Sequence, residues 1–213
     1  MKKTVFAAAA AGLLLAAGQA SAVLIDFENL AVGTTLANQY AALGATFSPN
    51  AFTGTGGPSG DWATNTDMTI VSSTGTDVGG LGTPPVVSGN ILRSFNGWLN
   101  ENGDPTFRIT FTTPINSISA AFAGVATPAD VRLIAYNGVT QIGNVTSTVA
   151  TGQFTLSFAA ASITSVVITP GSFSDWVGVD NINYVPVPVP EASTYAMMGL
   201  GLGLLAFKLR KVA

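Results

Sequence analysis

Apolar and polar positions alternate with period two over long stretches between residues 23 and 184. Phe107, Ile109 and Phe111 alternate with Arg108, Thr110 and Thr112, and Phe154, Leu156 and Phe158 repeat the pattern. That period sends successive side chains to opposite faces and reads as half-buried strand. Further strands are predicted at residues 23–28, 68–71, 90–95, 115–122, 131–136, 139–145, 163–169 and 176–184. Asn137-Gly138 sits between two of them and reads as a type I′ hairpin, because both residue types accept positive φ. Helical spacing occurs once, where Leu36, Tyr40 and Leu43 predict one or two turns within residues 30–43. The glycine-rich stretches 53–61 and 72–89 are loops, either plain connections or mounts for a binding surface. Many short strands between Gly, Pro, Asn and Ser clusters predict an all-β fold, an antiparallel β-sandwich of jelly-roll-like type.

The two ends depart from this pattern. Lys2 and Lys3 precede an apolar run over 5–17 and then Ala20-Ser21-Ala22. This is the layout of a secretory signal peptide over residues 1–22, with signal peptidase reading Ala20 and Ala22. Residues 185–189 alternate Val and Pro, an extended linker. Residues 190–211 then carry Pro190-Glu191-Ala192, an uncharged run of 16 residues from Ala192 to Phe207, and the basic residues Lys208, Arg210 and Lys211. As a helix that run reaches about 24 Å, short of a bilayer core of about 30 Å. It is therefore expected to anchor weakly and transiently in a membrane, with the basic end in the cytoplasm. The domain of residues 23–184 is thus flanked by an N-terminal signal helix and a C-terminal hydrophobic helix.

Composition narrows the chemistry. The chain has no Cys and no His, so disulfides, zinc–thiolate centres, Ser-His-Asp triads and Cys nucleophiles are excluded. Residues 23–188 hold three Arg against ten acids, about −7, which argues against a nucleic-acid partner. Glycoside hydrolysis needs only two carboxylates, and Glu101 with Asp104 or Asp175 with Asp180 are formal pairs. Ten scattered acids supply such pairs by chance, so no enzyme is expected. Trp98, among Asn96, Asn100, Glu101 and Asn102, and Trp62, after Gly60-Asp61, have the setting of sugar-stacking residues. Packing in the core is the competing role for both, as for Trp176.

Two resemblances follow from particular residues. The stretch from Val189-Pro190-Glu191-Ala192-Ser193-Thr194-Tyr195-Ala196-Met197-Met198 to the basic end resembles the PEP-CTERM sorting signal, with Ala192 in place of the second proline. The resemblance implies an exosortase-type processing enzyme as partner, cleavage near the tripeptide, and delivery to the surface or matrix of a Gram-negative, exopolysaccharide-producing bacterium. In the body, Leu24-Ile25-Asp26-Phe27-Glu28-Asn29-Leu30, Thr106-Phe107-Arg108-Ile109-Thr110-Phe111 and Trp176-Val177-Gly178-Val179-Asp180-Asn181-Ile182 resemble secreted jelly-roll modules related to carbohydrate-binding domains. Such modules often hold a structural Ca²⁺ between first and last strands.

Strand parity sends Ile25 and Phe27 inward and Asp26 and Glu28 outward. Val177 and Val179 share one parity and Ile182 and Tyr184 the other, so a one-residue bulge at Asp180-Asn181 is expected. Glu28 and Asp180, joined by Asp26 and backbone carbonyls, are the candidate Ca²⁺ ligands, and capping of strand ends and turns is their alternative use. The expected function is that of a non-catalytic surface or matrix protein associated with exopolysaccharide in a biofilm or floc. Its alternatives are a secreted glycan-active enzyme and an inner-membrane tail-anchored protein.

Overall fold

The structure is a computed structural model that describes residues 21–50, 68–74, 86–93, 106–123, 131–149, 152–169, 178–188 and 199–203. Trp62, Trp98, Trp176, Ala20, Glu101, Asp104, Asp175 and the residues Pro190, Glu191, Ala192, Lys208, Arg210 and Lys211 lie outside the described residues.

Among the described residues nine antiparallel strands build the body: β1 Val23–Ile25, β2 Ala45–Pro49, β3 Thr69–Ser72, β4 Asn90–Arg93, β5 Phe107–Ala123, β6 Arg132–Asn137, β7 Thr140–Thr146, β8 Phe154–Thr169 and β9 Gly178–Pro186. They hydrogen-bond in the order β3-β4-β9-β5-β8-β6-β7, with β1 on β9 and β2 on β5. The long strands β5 and β8 belong to both layers of a β-sandwich. Phe107 to Thr110 of β5 pair with Ile168 to Ser165 of β8 beside β2 and β6. Ser117 to Phe122 pair with Ala159 to Phe154 beside β9.

The change of layer falls where the ladder is broken. Between Thr110↔Ser165 and Ile115↔Ile163, β5 carries extra residues, among them Pro114, which has no N–H to offer a ladder. Between Ile115↔Ile163 and Ser117↔Ala159 the extra residues lie on β8, where Ser162 has φ 60°. In the sequence these breaks look like strand ends, which is why 107–112 and 115–122, and 154–158 and 163–169, read as separate strands.

The apolar parity fills the space between the layers. Phe107, Ile109, Ile115, Phe122, Ile163, Ile168, Val179 and Ile182 are fully buried in one cluster. Phe122 stacks on Phe154 with centroids 5.3 Å apart, and Phe111 meets Tyr184 at 5.0 Å. Together such contacts add to the gain of roughly 25 cal/mol per Å² from burying apolar surface.

Three local expectations are corrected. The predicted helix at residues 30–43 is only a 3-10 turn, Ala41–Leu43. Leu36 and Tyr40 are buried as their spacing suggested, but no α-helix places them there: Leu36 N donates to Met68 O, and Tyr40 caps the 3-10 turn, its carbonyl accepting from Leu43 N. Leu43 is exposed. The hairpin between β6 and β7 turns one residue later than expected, since Asn137 pairs with Thr140 and leaves Gly138-Val139 as the loop. Only Gly138 of the two has positive φ (59°), which is the type II′ rather than the I′ pattern. Strand β2 was not anticipated.

The chain divides into two compact units, the body Ala22–Pro186 and a second to which residues 199–203, which are helical, belong. Among the described residues no helix is long and apolar enough to cross a membrane.

Candidate functional site

The first and last strands pair, with Val23 opposite Tyr184 and Ile25 opposite Ile182, and this brings the three candidate acids to one corner of the sheet. Strand β1 ends at Ile25, but Phe27, at φ 60°, still turns its ring into the core, where it packs edge-on against Tyr40 at 5.7 Å. Asp26 and Glu28 are left on the outer side. On β9 the ladder to β5 slips between Ser119↔Asn183 and Ala121↔Asp180, so β9 carries one extra residue. Asn181 sits there at φ 48°, a conformation Asn tolerates better than most residues. The bulge keeps Val179, Ile182 and Tyr184 all facing the core and turns Asp180 to the outer face.

Asp180 is nevertheless 1% exposed, because the segment 86–89 covers that face. Val87, Ile91, Ala121 and Ala123 form a second apolar cluster beneath it, flanked by Val71 and Val86. Gln153 Oε1 accepts from the N–H groups of Val86 and Val87. Ser88 N donates to Asp180 Oδ2 at 3.1 Å, Asn181 N to Oδ1 at 2.6 Å, and Asn181 Nδ2 bridges Oδ2 and Val86 O, both at 3.1 Å. Glu28 Oε1 accepts from Asn90 N at 3.0 Å, and Asn90 Nδ2 donates to Leu30 O at 2.9 Å. Asp26 Oδ1 accepts from Glu28 N at 3.3 Å. Gly89, at φ 62°, lies so close that a Cβ there would fall on the Glu28 carboxylate.

Burial pushes the Asp180 carboxyl up to about 6, against the two hydrogen bonds donated by the Ser88 and Asn181 backbone N–H groups and with added repulsion from Glu28 and Asp26. The acids therefore feel one another. Their oxygens, however, are engaged by backbone N–H groups from the 86–90 segment and from the acids' own strands. Among the described residues no group of three or more acids is drawn together tightly enough to hold a metal. A Ca²⁺ ion requires six to eight oxygens converging at 2.3–2.6 Å. In this arrangement the acids act as a clamp that fastens a loop to a strand bulge. The sequence placed the acids but not Ser88, Asn90 and Gln153; its one visible signal was Gly89, between the first two.

On the same outer face the surface is open where the 86–89 segment ends. A shallow depression of about 330 Å³ is lined by Ser117, Ile118, Ser119, Ser157, Phe158, Ala159 and Asn183. Its polar groups are hydroxyls and one amide on three adjacent strands, with Ser119 opposite both Ser157 and Asn183. No charged side chain lines it. The period-two pattern carried this signal as short polar residues at alternate positions.

The PEP-CTERM protein-sorting motif is present at residues 188–212. It implies an exported protein that is carried through the envelope to the surface and processed by exosortase. A comparison with curated protein sequences finds no match. Among solved structures the chain is similar to the K3 cleaved adhesin domain of Lys-gingipain from Porphyromonas gingivalis w83, at 15% identity and TM-score 0.40, over 79% of this chain and 99% of that one. It is also similar to the N-terminal CBM22-1-CBM22-2 tandem domain of Paenibacillus barcinonensis Xyn10C, at 13% identity and TM-score 0.39, over 83% of this chain and 48% of that one.

Proposed function

We propose that this is a non-catalytic surface or matrix protein of a Gram-negative bacterium, held briefly in the inner membrane by its tail and then associated with exopolysaccharide. The supporting observation is the uncharged depression on the outer face, where Ser117, Ser119, Ser157 and Asn183 offer hydroxyl and amide groups. Such a lining matches neutral polyols, which exchange hydrogen bonds with short polar groups. The non-catalytic reading is supported by the described acids. Asp26, Glu28 and Asp180 hold backbone N–H groups, and one of them is buried.

The test is retention of the full exported chain on polysaccharide prepared from its host, beside an assay for released sugar. Ser119→Ala with Asn183→Ala should lower retention several-fold without moving the melting temperature by more than a few degrees. Sugar release that disappears on replacing an acid would make the protein an enzyme. Full-length chain that stays in the inner-membrane fraction whether or not exosortase is present would make the tail a plain anchor.

A further inference from the structure

An antiparallel sheet stays monomeric when its border strands are shortened, covered, charged, kinked or interrupted by proline. Among the described residues the borders of this sandwich are β1, β2, β3, β7 and the N-terminal half of β8. Strand β1 is three residues long. Strands β2 and β3 are covered from the 33–40 segment: Phe47 N donates to Ala37 O, Ala45 N to Tyr40 O, Gly33 N to Ile70 O and Ile70 N to Thr34 O. Strand β7 is kinked, because its ladder to β6 slips between Ala135↔Gly143 and Tyr136↔Gln141.

Among the described residues the first half of β8 has none of these protections. Phe154 to Ala159 pair without a break with Phe122 to Ser117 on one side, and β6 takes up β8 only from Ser165 onward. The sequence Phe154-Thr155-Leu156-Ser157-Phe158-Ala159-Ala160-Ala161 holds no charge, no Pro and no Gly. Thr155, Ser157 and Ala159 are exposed.

We propose that this border is an interface at which a second copy of the chain adds its own β8 antiparallel, joining two sandwiches into one continuous sheet. A twofold axis perpendicular to the sheet preserves its faces, so each residue pairs with one of the same parity and the axis passes through a residue. Centred on Ser157, the pairing sets Leu156 against Phe158 of the partner subunit on the core side. On the outer side it sets Thr155 against Ala159 of the partner subunit, and Ser157 against its own mate. Apolar meets apolar and small polar meets small polar, and no like charges face each other, so the strand is its own complement. The sorting motif concentrates copies at one surface, where such pairing is favoured by mass action.

The chain contains no cysteine, which gives a clean test. In the pairing the two Ser157 Cα atoms lie about 4.5–5.5 Å apart, within disulfide reach. The full chain carrying Ser157→Cys should therefore form a disulfide-linked homodimer under mild oxidation at least about tenfold faster than Val139→Cys, which sits at the fully exposed tip of the β6–β7 hairpin. Two differently tagged copies bearing Thr155→Cys and Ala159→Cys should cross-link to each other in preference to themselves. Ser157→Lys, an exposed change that leaves the core untouched, should abolish co-purification of the tagged copies while keeping the melting temperature. Cross-linking of Ser157→Cys no faster than Val139→Cys would overturn the proposal, as would co-purification that survives Ser157→Lys.

Discussion

Asp180 is the residue whose surroundings are most at odds with its chemistry. Its folded pKa of about 6 stands above the ordinary 3.8, so between those values the native state holds a proton that the unfolded state has lost. Stability due to this group is therefore greatest in acid and falls as pH rises through that window, by at most about 3 kcal/mol. Glu28 and Asp26 face it and add to the effect. We expect the melting temperature to decline between about pH 4 and 6.5 and Asp180→Asn to flatten the decline. A curve with the same slope in the variant would remove Asp180 as the cause. The same carboxylate oxygens accept N–H bonds from Ser88 and Asn181, and Glu28 accepts from Asn90. Millimolar Ca²⁺ at pH 7 should accordingly leave the melting temperature unchanged. A rise would mean that the acids abandon these bonds to surround the cation.

At the scale of strands, the legible features were those carried by periodicity. The change of parity between Val179 and Ile182 located the β9 bulge, because a buried face cannot switch sides without an extra residue. What periodicity could not report was partnership across long separations. Ser88 and Asn90 reach Asp180 and Glu28 across 92 and 62 residues, and locally only the intervening Gly89 marks them. Nor could it separate an α-helix from irregular backbone and a single 3-10 turn at Leu36 and Tyr40, since burial of the same residues satisfies both. Strand β2 escaped because its five residues end in Pro49 and offer only Ala45 and Phe47 to the core.

One element-scale contact was equally silent. A Cβ on Gly143 of β7 would lie 2.5 Å from Cζ of the Phe158 ring, so glycine is what lets β7 close over β8. Gly143→Ala should cost about 1–3 kcal/mol by overpacking. Chemical denaturation would show it, and Phe158→Leu should relieve much of that cost in the double variant. Full additivity of the two changes would show that they do not touch.

For the whole molecule the question is where the body ends and the sorted tail begins. Composition placed the end near Tyr184, at the last aromatic before alternating Val and Pro. Strand β9 runs on to Pro186, with Val185 opposite Ser117 and Pro186 opposite Ile115. These two residues close the ladder beside a side chain that ties distant parts together: Tyr184 is buried, and its hydroxyl donates to Leu43 O at 2.6 Å. A chain stopped after Tyr184 would put a terminal carboxylate against that buried ring and lose the last rungs, each worth about 0.5–1.5 kcal/mol. A chain stopped after Pro188 keeps both. We therefore expect the shorter body to unfold at lower denaturant than the longer one by about 1–2 kcal/mol, with the same slope, because the surface exposed on unfolding hardly differs. Equal midpoints would place the working boundary at Tyr184 after all and make Val185 and Pro186 part of the linker. A lower midpoint in the shorter chain would show that Val185 and Pro186 belong to the sandwich rather than to the linker.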